Sequence, residues 1–362
     1  MSLTRAVQHM WQRRGLASTL LLPLSWLAGG IIARRRRRYT HNPALIWQSP
    51  VPLVIVGNLY VGGTGKTPVV MALVKALAAR GWHPGVVSRG YGAQRTVQPQ
   101  VGRNMLDPAI FGDEPALIAR HTGVPVAVHA DRPLAAQALL RARPEVDVIV
   151  ADDGLQHYRL GRDIEILVED ERGIGNGRVL PAGPLREPAA RRDTVDIIIT
   201  HMSTIGEDDH DTREHPPEAA AHHGPQRVGM RLQACRVRRL SDDHQQNWAD
   251  WLAAQGQAPV HAIAGIGRPG RFFAMLRAAG VQLEQARALP DHARLHPGML
   301  ETMGDKSIMM TAKDAVKCAP WADNRLHAVE VEAVFDSPTW LQTLERQLRE
   351  AAAGRSTGGI AG

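Results

Sequence analysis

The sequence predicts an α/β protein built on a mostly parallel sheet with flanking helices, with a second, smaller α/β domain after it and an N-terminal membrane-associated helix before it. Three observations carry this. Apolar runs such as Val51 to Gly57 and Val146 to Ala151 have the unbroken pattern of strands buried on both faces. Helical periodicity follows them, as in Pro68 to Arg80 with Val69, Val70, Leu73, Val74 and Leu77 on one face. Before all of this, Gly15 to Ala33 is an uncharged run with arginines on both flanks.

With 362 residues, 44% of them hydrophobic, the chain is long enough for two domains plus appendages. We divide it into an N-terminal membrane-associated segment (1–44), a nucleotide-binding domain ending in a polar linker (45–225) and a C-terminal α/β domain (226–362). The formal charge of +7 is local. Residues 1–44 hold Arg5, Arg13, Arg14 and Arg34 to Arg38 with no Asp or Glu, so the remainder of the chain is close to neutral. A nucleic-acid binder spreads basic residues over a folded face interleaved with aromatics, and that pattern is missing. Cys235 and Cys318 are far apart and have no metal-ligand spacing, which fits a reducing compartment without disulfides or zinc. No internal repeat is evident.

Gly15 to Ala33 just reaches the length that crosses a bilayer core. A cleaved signal peptide does not fit, because an arginine block follows where a cleavage site belongs. A full span and a helix lying in the interface both remain. Pro23, Gly29 and Gly30 interrupt the run, and basic flanks on both sides favour the interface. Positive flanks stay cytoplasmic, so the catalytic body is expected at the cytoplasmic face, where anionic headgroups attract the arginines.

The apolar run ending at Gly57 leads into Asn58-Leu59-Tyr60-Val61-Gly62-Gly63-Thr64-Gly65-Lys66-Thr67 and then into the Pro68 helix. Strand, Gly-rich loop and helix, in that order, are the context of a phosphate-binding loop. Gly62, Gly63, Thr64 and Gly65 would turn backbone N–H groups toward an anion at the positive end of the helix. Lys66 would reach the β- and γ-phosphates of a nucleotide and Thr67 would offer its hydroxyl to Mg²⁺. The strict pattern wants glycine at position 60, and tyrosine stands there. Asp152-Asp153-Gly154, at the end of the second apolar run, has the position of the carboxylate that holds the metal. Adjacent residues at a strand end point to opposite sides, so the two aspartates cannot serve identically. The fold class is therefore of the P-loop NTPase type.

Other segments carry chemistry-bearing residues. Ser88-Arg89-Gly90-Tyr91-Gly92 follows a strand, and Gly112-Asp113-Glu114-Pro115 opens a helix. Asp113 is either a helix-capping carboxylate or a general base that takes the proton of a hydroxyl acceptor. Arg132 begins a helix after Asp131 and would clamp phosphate or pair locally. Gln156 and His157 follow the aspartates, His157 as a buried structural histidine or a member of the site. Arg178 to Pro188 is an ordered non-helical loop whose Arg186 meets an anionic group or closes a structural salt bridge. Glu207 to Gln226 is a polar linker rich in His, Asp and Pro. After it come strand Val260 to Ala264, the loop Gly265 to Gly270, a helix Arg271 to Ala279, strand Ser307 to Thr311 leading into Ala312-Lys313-Asp314, strand Leu326 to Val334 and helix Pro338 to Ala353. The Gly-rich tail after Ala353 is expected to be disordered.

Laid out in this way, the chain resembles the tetraacyldisaccharide 4′-kinase family of Gram-negative bacteria. The resemblance rests on LLPLS (Leu21 to Ser25), GNLYVGGTGKTP (Gly57 to Pro68), SRGYG, GDEP, ADDGLQH (Ala151 to His157), LPAGPLREP (Leu180 to Pro188), GIGRPGRFF (Gly265 to Phe273), Asp291-His292 and TAKDAVK (Thr311 to Lys317). It implies two α/β/α lobes with a cleft. It also implies transfer of the γ-phosphate of ATP to the 4′-hydroxyl of an acylated glucosamine disaccharide 1-phosphate, giving lipid IVA. Lys66 and Thr67 would then bind phosphate and Mg²⁺, and Arg132 a phosphate. Asp113 would be the base, with Asp152 on the metal, Asp153 in catalytic alignment and His292 entering from the second domain. Tyr91, Glu114, Gln156 and His157 are further candidates. The expected cofactors are ATP and Mg²⁺, and the expected partners are the lipid A disaccharide precursor and the inner-membrane surface, with no nucleic acid and no obligate protein partner. Ala312 departs from the glutamate usual near the adenine. The competing readings are a P-loop GTPase or ATPase acting as a switch, and a membrane-anchored kinase for another sugar lipid. Missing guanine-reading residues and metal-binding clusters weigh against the switch.

Overall fold

Strand β1 (Leu53–Gly57) is the centre of the first unit, with Leu53, Val54, Ile55 and Val56 fully buried. The computed structural model describes residues 3–94, 96–202, 224–291, 293, 295–318, 321 and 323–358. These divide into two compact units, one formed from residues within 1–201, 225–229 and 335–362, the other from residues within 202–224 and 230–334.

The first unit opens with helices α1 (Leu3–Gln12), α2 (Leu16–Leu20) and α3 (Leu22–Thr40). The uncharged run is therefore broken at Leu21, with Pro23 in the first turn of α3 where its missing N–H does no harm. Among the described residues no helix is long and apolar enough to cross a membrane. Instead α2 and α3 hold Leu16, Leu20, Leu24, Trp26, Leu27 and Ile31 out to solvent, Leu16 at 87% and Trp26 at 71% exposure.

Beyond α3 come β1, α4 (Lys66–Ala78), β2 (Pro84–Ser88), β3 (Gln100–Gly102), α5 (Pro108–Phe111), α6 (Asp113–Thr122), β4 (Val126–Val128), α7 (Arg132–Ala142), β5 (Val148–Asp152), β6 (Ile164–Asp170) and β7 (Ile197–His201). Their order across the sheet is β7-β6-β1-β5-β2-β4-β3. All neighbours are parallel except β3, which runs against β4. The register pairs Val56 of β1 with Asp152 of β5, and Val87 of β2 with Ala151. The loops after β1, β2 and β5 thus open at the same carboxyl edge, where parallel α/β sheets bind ligands. Val69, Val70, Leu73, Val74 and Leu77 of α4 are buried, the face its periodicity predicts.

The second unit contains β8 (Gln226–Arg239, its first residues counting with the first unit), β9 (Gln245–Asn247), α8 (Trp248–Gln255), β10 (Val260–Ala264), α9 (Pro269–Ala278), β11 (Leu283–Ala288), β12 (Ile308–Thr311), α10 (Ala312–Ala315) and β13 (Leu326–Phe335). Strands β11-β10-β12-β13 pair in parallel around Trp251, Phe272, Phe273 and Leu276. The glycine loop after β10 is fixed by buried Asp314, which accepts from the Gly265 amide at 2.9 Å and the Thr311 hydroxyl at 2.7 Å. The Lys313-Asp314 pair of the sequence is therefore partly an internal brace.

One expectation changes. The last helix, α11 (Thr339–Gly358), belongs to the first unit and continues past Ala353 into the glycine-containing tail. Arg355 holds that tail, donating to the Ser49 carbonyl at 2.9 Å and to both Asp163 oxygens at 2.8 Å. Residues 203–223, which include most of the polar linker expected over Glu207 to Gln226, lie outside the described residues. Because Trp340 is fully buried against Phe335, with ring centroids 4.8 Å apart, Trp340→Ala is expected to lower the unfolding free energy in denaturant titration by about 3–5 kcal/mol.

Candidate active site

The loop after β1 is shaped by Asn58. Its buried side-chain amide donates to the Tyr60 carbonyl at 2.6 Å, the Gly62 carbonyl at 3.1 Å and the Thr64 hydroxyl at 3.2 Å. Binding those carbonyls from within leaves the N–H groups of the glycine turn for an anion. Gly65 takes φ of 95° at the start of α4, a backbone angle that only glycine adopts cheaply. Tyr60, which replaces the expected glycine, is no defect. It lies in an antiparallel bridge with Leu185, and the Arg172 guanidinium sits 4.0 Å above its ring while donating to the Gly63 carbonyl at 3.2 Å.

The two aspartates at the end of β5 have opposite surroundings. Asp153 adopts φ of 51°, a left-handed conformation uncommon outside glycine, which turns it away from the strand pattern. Lys66 Nζ lies 3.4 Å from its Oδ1, and Arg186 donates to both its oxygens at 2.9 and 3.0 Å. Burial alone would raise its pKa, but the two cations hold it down at about 2. Asp152 is buried and accepts from the Ser88 hydroxyl at 3.1 Å, while its Oδ1 has no partner. Burial first, and then the Asp153 charge, push its pKa up to about 6. A buried carboxylate with one empty lone pair beside a phosphate loop suits a hard divalent cation, with the Thr67 hydroxyl at the start of α4 as its companion.

Behind the aspartates lies Arg132, with no exposed surface. It donates to the His129 carbonyl at 2.7 Å, whereas its Nε and second terminal nitrogen are buried without partners. Burial lowers its pKa to about 10 against the pull of Asp152 and Asp153, so it stays charged at neutral pH. An unsatisfied buried guanidinium is costly, and an anionic ligand would remove that cost. His157 is half-buried and neutral, its pKa pushed down to about 3 by burial and by the Arg132 charge. Gln156 donates to the Asn58 carbonyl at 3.3 Å and so braces the phosphate loop.

Asp113 and Glu114 form the first turn of α6, where its N-terminal dipole favours carboxylates. Gly112 permits this turn. Its φ is 89°, and a side chain there would sit 2.7 Å from the Tyr91 carbonyl. The Ser88–Gly92 and Gly112–Pro115 motifs are thereby packed together, and Glu114 lies close enough for its charge to act on Asp152. Tyr91 is mostly exposed. His292 lies outside the described residues; its neighbour Asp291 pairs with Lys313 at 3.3 Å within the second unit.

Lys66, Thr67, Asp152, Asp153, Arg132, Glu114, Gln156 and His157 therefore gather at one edge of the first sheet. Sequence reasoning left Arg186 undecided, and the structure makes it the principal partner of Asp153. It passed over Asn58, Ser88 and Arg172. Ser88 had a readable signal, since it ends the strand beside β5, but nothing local marks Asn58 or Arg172.

The raised pKa of Asp152 fixes a sign. Its native pKa exceeds the unfolded value of 3.8, so at this group the folded protein binds more protons than the unfolded chain, and the stability this group contributes is lost as pH rises from about 4 through about 6. Asp152→Asn is expected to be inactive yet more stable at pH 7.5, by on the order of 2 kcal/mol in denaturant titration, with the difference vanishing near pH 4.

The family model described as Tetraacyldisaccharide-1-P 4'-kinase matches residues 17–349. The tetraacyldisaccharide 4'-kinase of Bordetella petrii is 52% identical over 347 residues, covering 96% of each chain. That of Azoarcus sp. (strain BH72) is 46% identical over 337 residues, covering 93% of this chain and 94% of the relative. Among solved structures, the "apo" form of LpxK from Aquifex aeolicus in complex with ATP superposes with a TM-score of 0.71 at 28% identity, covering 92% of this chain and 99% of that one. The family model over residues 17–349 and relatives up to 52% identical over nearly the whole length place this chain in the tetraacyldisaccharide-1-P 4'-kinase family.

Proposed function

We propose that this chain transfers the γ-phosphate of ATP to the 4′-hydroxyl of a tetraacylated glucosamine disaccharide 1-phosphate, giving lipid IVA and ADP, at the cytoplasmic face of the inner membrane. The observation that carries the reading is the divided aspartate pair beside Lys66, one carboxylate clamped by cations and the other left with an empty oxygen.

In the ligand-free site Lys66 is paired with Asp153. On nucleotide binding Lys66 exchanges that carboxylate for the β- and γ-phosphates, while Arg186 keeps Asp153 in place. Thr67 and Asp152 would hold Mg²⁺, which neutralises the charge developing on the phosphates. Arg132 finds in a phosphate the partner its buried nitrogens lack. Asp113 takes the proton of the acceptor hydroxyl as the new O–P bond forms and the bond to the ADP oxygen breaks. Glu114 sustains the negative field that favours the metal.

The exposed apolar residues of α2 and α3, followed by five consecutive arginines, support a helix pair lying on an anionic lipid surface. An acylated acceptor stays in that surface, so the enzyme needs to reach only its sugar.

Transfer of labelled γ-phosphate from ATP to the disaccharide 1-phosphate in detergent micelles is the direct test. Wild type is expected to yield labelled lipid and Lys66→Ala none. ATP hydrolysis without labelled lipid would replace this reading with the nucleotide switch. Asp113→Ala is expected to lower kcat by about 10²–10⁴-fold with ATP affinity nearly unchanged, and a wild-type kcat would remove Asp113 as the base. Replacing Trp26, Leu27 and Ile31 together by serine is expected to reduce turnover on vesicles but not in micelles; equal loss in both would assign α3 a structural role only.

A further inference from the structure

We propose that Asn176 is a positioning residue for the transfer reaction, tying the N-terminal helices to the loop that carries Arg186 so that the seating of these helices holds Asp153 and the phosphate loop in register. The catalytic consequence rests on the function proposed above; the structural coupling does not.

Asn176 is 95% buried and every polar atom of it is engaged. Its side-chain amide donates to the Ser18 hydroxyl at 3.0 Å, the Ala182 carbonyl at 2.9 Å and, at 3.4 Å, the Met10 carbonyl. Its side-chain oxygen accepts from the Arg178 amide at 3.1 Å, its backbone amide donates to the Trp11 carbonyl at 2.9 Å, and its carbonyl accepts from Arg14 Nε at 3.1 Å. Ser18 donates to the Ala182 carbonyl at 2.6 Å. Ser25, the serine of LLPLS, donates to the Val179 carbonyl at 2.8 Å and accepts from the Ala182 amide at 2.9 Å. Trp11 adds a bond to the Pro181 carbonyl at 3.1 Å.

A helix pair that merely rests on lipid needs an apolar outer face. This one also commits Ser18 and Ser25, both buried, to the backbone of a single loop, to which buried Asn176 itself belongs. That loop leads straight into the site. The Pro184 carbonyl accepts from the Val61 amide at 2.9 Å, Leu185 bridges Tyr60, the Arg186 amide donates to the Leu59 carbonyl at 2.8 Å, and the Arg186 guanidinium grips Asp153. Two motifs distant in sequence, LLPLS and LPAGPLREP, are joined by direct hydrogen bonds, and the second of them borders the phosphate loop. Removing the Asn176 amide takes one of two donors from the Ala182 carbonyl, which keeps Ser18, and from the Ser18 hydroxyl, which keeps Arg178, and loosens the loop, and small misplacements of catalytic groups are expensive in rate.

The test is a double-mutant cycle in the full-length protein. Asn176→Ala is expected to lower kcat about tenfold in micelles, and to lower it less than twofold further in an Arg186→Ala background, because it acts through Arg186. Its binding to anionic vesicles should equal wild type. The same tenfold loss in both backgrounds, or an unchanged kcat, overturns the proposal. Backbone hydrogen exchange supplies a readout that needs no substrate: the Val61 and Arg186 amides are expected to exchange faster in Asn176→Ala, and unchanged exchange at both also overturns it. Should Asn176→Ala fail to fold, Ser25→Ala, which removes only two hydrogen bonds, runs the same cycle. If wild type transfers no phosphate to lipid, the proposed function fails while the exchange measurement still decides this one.

Discussion

The ion pair between Arg186 and Asp153 is the contact on which the site depends. Asp153 stands in a strained left-handed conformation beside a second buried carboxylate, and neither feature would persist without compensation. Arg186 and Lys66 supply it by keeping Asp153 ionised. Asp152 has no such ion pair, and burial first, then the Asp153 charge, raises its pKa against the pull of Lys66. One dipeptide thus yields two carboxylates of different character, because the chain turns between them and only Asp153 is paired with Lys66 and Arg186.

Each cation is held in turn by structure that is remote in sequence. Lys66 is set by the turn at Gly65, which Asn58 braces from below. Arg186 is set by a loop stitched to the N-terminal helices and to the phosphate loop. Arg172, anchored by a charged triple contact with buried Asp170, closes the loop from the other side through Gly63 and the Tyr60 ring. The turn is braced by hydrogen bonds from several segments, while Asp152 Oδ1 and two nitrogens of Arg132 stay buried without partners.

The parts of the fold that were hidden in the sequence share a cause. β6 reads IEILVED, a run broken by Glu165, Glu169 and Asp170, and it escaped notice although it lies beside β1. Those acids are buried in ion pairs, Glu165 with Arg191 and Glu169 with Arg192 from beyond the strand, and Asp170 with Arg172 just after it. The tail after Ala353 looked disordered because of its glycines, yet Arg355 fastens it to Asp163 and Ser49 nearly two hundred residues or more away. The uncharged run at residues 15–33 has the length of a span, but Ser18 and Ser25 turn inward to hydrogen-bond a loop, and the chain bends at Leu21 to let them.

The sequence by itself determined whatever depends on neighbours along the chain. Unbroken apolar runs specified buried parallel strands, glycines before Lys66 specified a turn that opens a helix, and two aspartates marked the end of the strand beside it. These signals are local because strand burial, turn angles and helix dipoles are local. Tertiary structure alone decided which aspartate is clamped and which is open, why tyrosine serves at position 60, and what the serines of the N-terminal helices do. Those outcomes depend on charges and hydrogen bonds between segments brought together only by folding, and an arginine in a sequence carries no mark of the carboxylate it will meet.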